Sequence, residues 1–289
     1  MIKITAFHTE LPGPCLLILG AIHGNEICGP VAMNRIMAEI ESGALQLKHG
    51  RAVFIPICKP RAYAQNVRFI ERNLNRNLVP MAEPDCYEAV LGNLLCPYLE
   101  ACDVLVDLHS TSGIGPSYVF IDPADADNMA FGAALGADWI VSNFAGAIAA
   151  SGAKDDNPNW ATGTTEYARS QGAMSLTLEC GQHLDPHAPE TAYRAIIRAL
   201  VYLGMLEDAP IFQPSISRHV ALEKCWFFTD AGTFTKAWTN LESVKAGALI
   251  AMRGNGEELR APHDGIIVLP RPAPEPNSEW FYFGREIPV

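Results

Sequence analysis

The chain has 289 residues, 49% of them hydrophobic and 18% charged, which gives room for one large domain with a substantial core and excludes a disordered polymer. Its formal charge of −11 argues against nucleic acid and against an anionic membrane surface as partners. No apolar run approaches the roughly 20 residues that cross a bilayer. Met1–Thr5 does not lead from a basic segment into an apolar one, so no secretory signal is expected.

The eight cysteines, at 15, 28, 58, 86, 96, 102, 180 and 225, lie in mostly apolar surroundings and none form a CxxC pair. That usage suits buried reduced thiols better than a disulfide frame or a Cys-ligated zinc site. A cytoplasmic location is expected.

In chain order, Ile2–Phe7 alternates like a first strand, and Pro12-Gly13-Pro14 turns the chain into Cys15-Leu16-Leu17-Ile18-Leu19-Gly20. A short continuous apolar run ending at glycine reads as a strand buried on both faces. It delivers His23 and Glu26 to a glycine-softened turn, and a helical pattern (Ile27, Val31, Met33, Ile36, Met37, Ile40) then leads away to Ser42-Gly43. Ligands of open α/β sheets sit at the carboxyl ends of strands. An imidazole and a carboxylate three residues apart can close on one ion, and Zn²⁺ accepts both ligand types. The plainer reading is a helix start, with Glu26 at the positive dipole end and His23 on the surface.

Ala52–Ile57 is a further buried strand, and strand, helix, strand is the βαβ signature of a parallel sheet. Residues 58–80 show no periodicity. A loop of that length in a compact domain is functional or disordered, and Tyr63, Phe69, Ile70 and Leu74 favour order. It carries Lys59, Arg61, Arg68, Arg72 and Arg76 against Glu71 alone. In so acidic a chain this reads either as a solvated loop or as a clamp for an anionic substrate, since the guanidinium fork matches a carboxylate.

A helix is predicted from about Glu83 to Ala101. Asp103–Thr111 follows as a buried strand ending in a histidine. Asp107 and His109 point to the same side of it, so Asp107 is placed to support the site from behind. Tyr118–Ile121 and Trp139–Val141 read as strands with a helix between them. Residues 150–164 read as a polar loop, a candidate rim or lid, and Ala173–Glu179 is another strand ending in a carboxylate. Pro189–Leu206 is a long amphipathic helix. Beyond Asp208-Ala209-Pro210, short alternating runs are broken by glycine turns, with Asn255-Gly256 a strong hairpin signal. Residues 211–289 therefore read as a small all-β module.

Three strand ends thus offer His23 with Glu26, His109, and Glu179. Two histidines and one glutamate are the ligand set of a catalytic zinc site that leaves a position for water. A further carboxylate beside that water serves as general base and then general acid. Taken singly, His109 also reads as a satisfied core histidine and Glu179 as the partner of an arginine.

The run Gly20–Glu26, with Asn75-Arg76, Asp107-Leu108-His109 and Leu178-Glu179, resembles the succinylglutamate desuccinylase/aspartoacylase family, a branch of the zinc carboxypeptidase-like fold. The resemblance spans the whole chain. It implies a three-layer α/β/α domain over residues 1–210 with a mixed, largely parallel sheet. Residues 211–289 would form the all-β, barrel-sandwich-like module that caps the site. It further implies one Zn²⁺ per chain held by His23, Glu26 and His109, with Glu179 as general base and Arg68 steadying the oxyanion. Asn75, Arg76 and Arg169 would bind a substrate carboxylate, and Tyr282, in Glu279-Trp280-Phe281-Tyr282, would return to the site. Thr165 stands where aspartoacylase has a tyrosine, with Tyr167 nearby, a departure that bears on the substrate. The implied activity is zinc-dependent hydrolysis of a small anionic N-acyl amino acid; the alternative is a metallocarboxypeptidase acting on peptides. Residues 244–269 also resemble half of a lipoyl or biotinyl domain, but the tip Arg253-Gly254-Asn255-Gly256 offers no lysine for attachment. A homo-oligomer is compatible with the sequence.

Overall fold

The apolar run Cys15–Gly20 forms a strand buried along its whole length, and its side chains alternate between two cores. Leu16 and Ile18 pack in one cluster with Met33, Ile36 and Leu200, while Leu17 and Leu19 pack in another with Leu91, Leu95 and Leu105. Fully burying a side chain of this size contributes on the order of 1.5–3 kcal/mol. The strand is therefore pinned from both faces, and the turn that follows it inherits a fixed starting point.

Residues 1–152, 159–206, 212, 218–229 and 231–288 are described in the structure, a computed structural model. The elements of the first part are β1 (Thr5–His8), β2 (Cys15–Gly20), α1 (Cys28–Glu41), β3 (Arg51–Ile55), α2 (Pro60–Gln65), α3 (Tyr87–Glu100), β4 (Val104–Thr111), β5 (Tyr118–Ile121), α4 (Ala126–Leu135), β6 (Trp139–Ser142), α5 (Phe144–Ala150), α6 (Thr164–Ser170), β7 (Met174–Gln182) and α7 (Ala188–Tyr202). They are followed by β8 (Arg218–Phe227), β9 (Gly232–Phe234), β10 (Glu242–Val244), β11 (Leu249–Arg253), β12 (Glu258–Arg260), β13 (Gly265–Val268) and β14 (Glu279–Ile287).

Among the described residues, eleven strands form one sheet of order β1-β3-β2-β4-β7-β5-β6-β8-β14-β13-β10, and three form a second, β12-β11-β9. Pairing is parallel across β3-β2-β4-β7 and across β5-β6-β8, and antiparallel elsewhere. Residues of α1, α4 and α7 share the first core cluster, and residues of α3 and α6 share the second. The sheet is thus covered by helices on both faces, as expected of the α/β class. The C-terminal strands are present: β8 lies parallel to β6, and β14 and β13 extend the same sheet. The 210/211 boundary lies outside the described residues. Asn255-Gly256 sits in the turn between the antiparallel β11 and β12. Among the described residues, no helix is long and apolar enough to cross a membrane.

Three local departures from the sequence reading have physical causes. In α1 the buried face is Cys28, Ala32, Met33, Ile36 and Met37, so Ile27 and Val31 fall one step round the helix and are exposed. α3 begins at Tyr87 rather than Glu83, with the extended Cys86 as its cap; Pro84 disfavours helical geometry at Glu83. Residues 60–65 form a helix with Pro60 at its first turn and the left-handed Asn66 at its end. Six residues are too few to show a helical period.

Candidate functional site

β2, β4 and β7 lie side by side with Gly20 opposite Leu108 and His109 opposite Glu179. Their carboxyl ends are therefore level. Beyond Gly20, Ala21 takes a positive φ of 47° and bends the chain across the strand ends. Gly24 then passes so close to α2 that a Cβ there would lie 2.3 Å from the Ala62 carbonyl carbon, which excludes any larger residue. The turn closes with Glu26 N–H donating to His23 O at 3.1 Å.

The outcome is a compact, buried trio. His23 and His109 have ring centroids 4.9 Å apart, and His23 Nδ1 and His109 Nδ1 each lie 2.8 Å from a different oxygen of Glu26. The ligand atoms of His23, Glu26 and His109 all fall within 4.8 Å of one another. Each outer nitrogen faces an oxygen: His23 Nε2 donates to Asn73 Oδ1 at 3.0 Å, and His109 Nε2 lies 2.9 Å from Asp107 Oδ2. Asp107 also accepts a hydrogen bond from Thr164 Oγ1. Holding the outer nitrogens protonated leaves both Nδ1 lone pairs directed at one point, an arrangement suited to a divalent metal.

Electrostatics of the trio agree with that use. Burial alone would raise Glu26, but His23 and His109 carry it well below the carboxylate range. His109 is lifted well above its ordinary value by Asp107 and Glu26 against the cost of burial, whereas burial and Arg68 depress His23. Metal binding by the trio requires the ring nitrogens that face it to be unprotonated, so affinity would fall as pH is lowered. Asp107→Asn is expected to weaken metal affinity by roughly 10–100-fold with the fold intact, as read by competition with a calibrated chelator.

A cavity of about 690 Å³ opens over the trio. Glu179 lines it, and Glu179 Oε2 is a buried oxygen without a hydrogen-bond partner. Burial pushes the Glu179 carboxyl up to about 8, with His109 opposing and Glu26 adding to the rise. Of the basic residues at 59–76, Arg68 and Arg76 reach the cavity. Arg68 Nη1 lies 3.0 Å from Glu26 Oε1, and Arg76 Nη2 lies 2.9 Å from Glu279 Oε1. Arg72 instead pairs with Asp85, Arg61 stacks on Tyr87, and Lys59 is buried beside Glu88. The Glu88 carboxylate accepts the backbone N–H groups of Ile70, Glu71 and Arg72, which fixes the loop carrying the two arginines.

Asn75 and Arg169 also line the cavity. Asn75 Oδ1 accepts the Thr164 N–H at 2.8 Å, and Gly163 is kept side-chain-free because a Cβ there would sit 2.2 Å from that oxygen. Tyr282 is the predicted residue that the structure keeps apart from the cavity. It is buried beneath the lining, its ring 5.1 Å from that of Phe144, while Glu279 of the same run faces the cavity. Thr165 lines the cavity, and the Tyr167 hydroxyl turns away to Glu100. Asn73, Trp160, His183, Arg271 and Glu279 are lining residues that the sequence reading assigned no role. Asn73 and Trp160 lie in loops whose side-chain directions have no periodic signature, and Arg271 and Glu279 lie within and just beyond the proline-rich 270–276 segment.

The fold and the site together define an α/β protein with a two-histidine, one-glutamate candidate metal centre at the carboxyl ends of parallel strands. The model of the succinylglutamate desuccinylase/aspartoacylase catalytic domain matches residues 12–200, and the chain belongs to that family. Among solved structures, the succinylglutamate desuccinylase/aspartoacylase of Rhodobacter sphaeroides is similar with a TM-score of 0.78 at 19% identity, covering 100% of this chain and 90% of that one. Succinylglutamate desuccinylase from Vibrio cholerae has a TM-score of 0.77 at 19% identity, covering 98% and 85%. The product-bound ectoine utilization protein EutE (DoeB) of Ruegeria pomeroyi has a TM-score of 0.75 at 20% identity, covering 98% and 88%. At these identities the likeness establishes the fold. A probable aspartoacylase of Prochlorococcus marinus is 31% identical over 110 residues, which span 36% of this chain and 36% of that protein.

Proposed function

We propose that the protein is a zinc-dependent amidohydrolase that removes the acyl group from a small anionic N-acyl amino acid. The observation that carries this reading is the trio His23, Glu26 and His109, with ligand atoms within 4.8 Å of one another, under a cavity lined by Glu179, whose carboxylate keeps one buried oxygen without a hydrogen-bond partner. Membership of the succinylglutamate desuccinylase/aspartoacylase family supports the same chemistry. Zn²⁺ held by the trio would supply the Lewis acidity that makes water a nucleophile near neutral pH. Glu179 takes the proton from the attacking water and hands it to the departing amine. The Arg68 guanidinium stabilises the negative charge that develops on the acyl oxygen. Arg169 and Arg76, with Asn75 fixing the loop beside Arg76, orient the substrate carboxylate.

Arg68→Ala is expected to lower kcat by roughly 10²–10³-fold, the usual cost of one oxyanion donor. If KM alone rises, Arg68 only binds substrate. The reading as a whole is tested by assaying the zinc-loaded protein against N-acetyl and N-succinyl amino acids beside a peptide panel, following release of free amine. Turnover of the N-acyl amino acids supports it, and turnover of peptides alone would make the protein a carboxypeptidase.

A further inference from the structure

Much of the cavity lining is aromatic. Phe69, Phe120, Phe144, Trp160 and Phe227 all contribute to it, more apolar surface than a short dicarboxylic acid needs. The charges are equally uneven. Among the described residues, four guanidinium groups face six carboxylates across the lining, so the cavity has no surplus of positive charge for a polyanion.

Three of the four arginines are also already engaged, Arg68 with Glu26 at 3.0 Å and two others with Glu279. Glu279 is held between two of them, with Arg76 at 2.9 Å and Arg271 at 3.2 Å. Burial would raise the Glu279 carboxyl, but the two guanidinium groups bring it down to about 2. Arg76 further lies 5.6 Å from the Phe144 ring centroid and 5.9 Å from that of Trp160. Two arginines sharing one resident carboxylate keep one net positive charge between them, which is enough for one substrate carboxylate. Arg169 also lines the cavity and takes that first carboxylate together with Arg76, so a second has to compete with Glu279 for Arg76 and Arg271, and displacing Glu279 leaves a buried carboxylate unpaired.

We infer that this cavity selects N-acyl amino acids bearing a single carboxylate and a bulky apolar, preferably aromatic, group, and that Glu279 sets the selection against dicarboxylates. The inference rests on the hydrolase reading and names its substrate class. The apolar group packs against the rings, burying surface that a polar substituent leaves wet, while the carboxylate takes Arg169 and the surplus charge of the Arg76–Glu279–Arg271 group.

The test is a set of matched initial rates on the zinc-loaded protein with N-acetylphenylalanine, N-acetylleucine, N-acetylaspartate and N-succinylglutamate. The expected result is a kcat/KM for N-acetylphenylalanine at least roughly tenfold above that for either dicarboxylate, a ratio within reach of pocket contacts alone. Glu279→Gln frees the two arginines and is expected to shift that ratio by roughly tenfold toward N-acetylaspartate. Preference of the native protein for a dicarboxylate overturns the inference and leaves the hydrolase reading standing, as does an unchanged ratio in a folded Glu279→Gln protein. Absence of turnover for every N-acyl amino acid defeats the hydrolase reading itself, and this inference with it. The native substrate panel decides the matter even if the variant fails to fold.

Discussion

His109→Ala is expected to abolish tight metal binding and to lower the hydrolytic rate by more than the roughly 10²–10³-fold that one oxyanion donor is worth. The size of the effect follows from the position of the ring. His109 Nδ1 contacts one oxygen of Glu26, and its other nitrogen faces Asp107. Removing the ring therefore deletes a metal ligand and leaves two buried carboxylates facing each other without the cation between them. That second consequence costs stability as well, since breaking a buried ion pair by removing one partner costs on the order of 3–5 kcal/mol. His109→Gln, which keeps a polar group of similar reach, separates the two effects. It is expected to fold better than the alanine variant and still to lack tight metal binding, as read by bound metal per folded chain.

Glu179→Gln is expected to lower kcat by on the order of 10²–10⁴-fold, the range for loss of a positioned general base, while one metal per chain and substrate affinity are retained. The substitution is nearly isosteric, and Glu179 Oε2 makes no hydrogen bond that the amide would break. Loss of activity therefore reports the missing proton acceptor rather than a disturbed fold. The pH dependence carries the sign. Burial raises the Glu179 carboxyl to about 8, so in the metal-free protein it holds its proton through neutrality and becomes a base only at higher pH. A divalent cation in the neighbouring trio favours the carboxylate and lowers that threshold. The acidic limb of the rate profile is accordingly expected in the zinc-loaded native enzyme and absent from Glu179→Gln. An equal limb in both would assign it to another group.

The parts of the molecule visible in the sequence are those where the local pattern alone decides the outcome. Cys15–Gly20 is an uninterrupted apolar run and Val104–Thr111 opens with one (Val104-Leu105-Val106), a pattern that fits a strand covered on both faces, and both strands are buried at every position. Once those strands lie parallel, the residues at their ends must meet, which is why His23, Glu26, His109 and Glu179 converge on one cavity. The same alternation placed Asp107 behind His109, and the structure puts its carboxylate 2.9 Å from the ring.

What the sequence did not reveal depends on contacts between segments remote along the chain. The order of residues 66–80 comes from a buried carboxylate at Glu88, which takes three backbone N–H groups from that loop. No periodicity within the loop encodes that. Tyr282 shares a strand with Glu279, but its position is decided by packing against Phe144 and Cys225. The family resemblance marks Arg76, with Asn75, as a carboxylate-binding residue, and Arg76 does line the cavity. Its partner, Glu279, lies 203 residues away, so the charge balance that bears on substrate choice emerges only when the C-terminal strands join the sheet.

The central claim is tested most directly by stripping the native protein of metal and titrating Zn²⁺ back while measuring bound metal and amide hydrolysis together. The prediction is a single site per chain, with the hydrolytic rate rising in proportion to its occupancy and returning to the starting value at one equivalent. A metal-free protein that hydrolyses at the full rate, or a chain that holds no zinc under saturating conditions, would contradict the account.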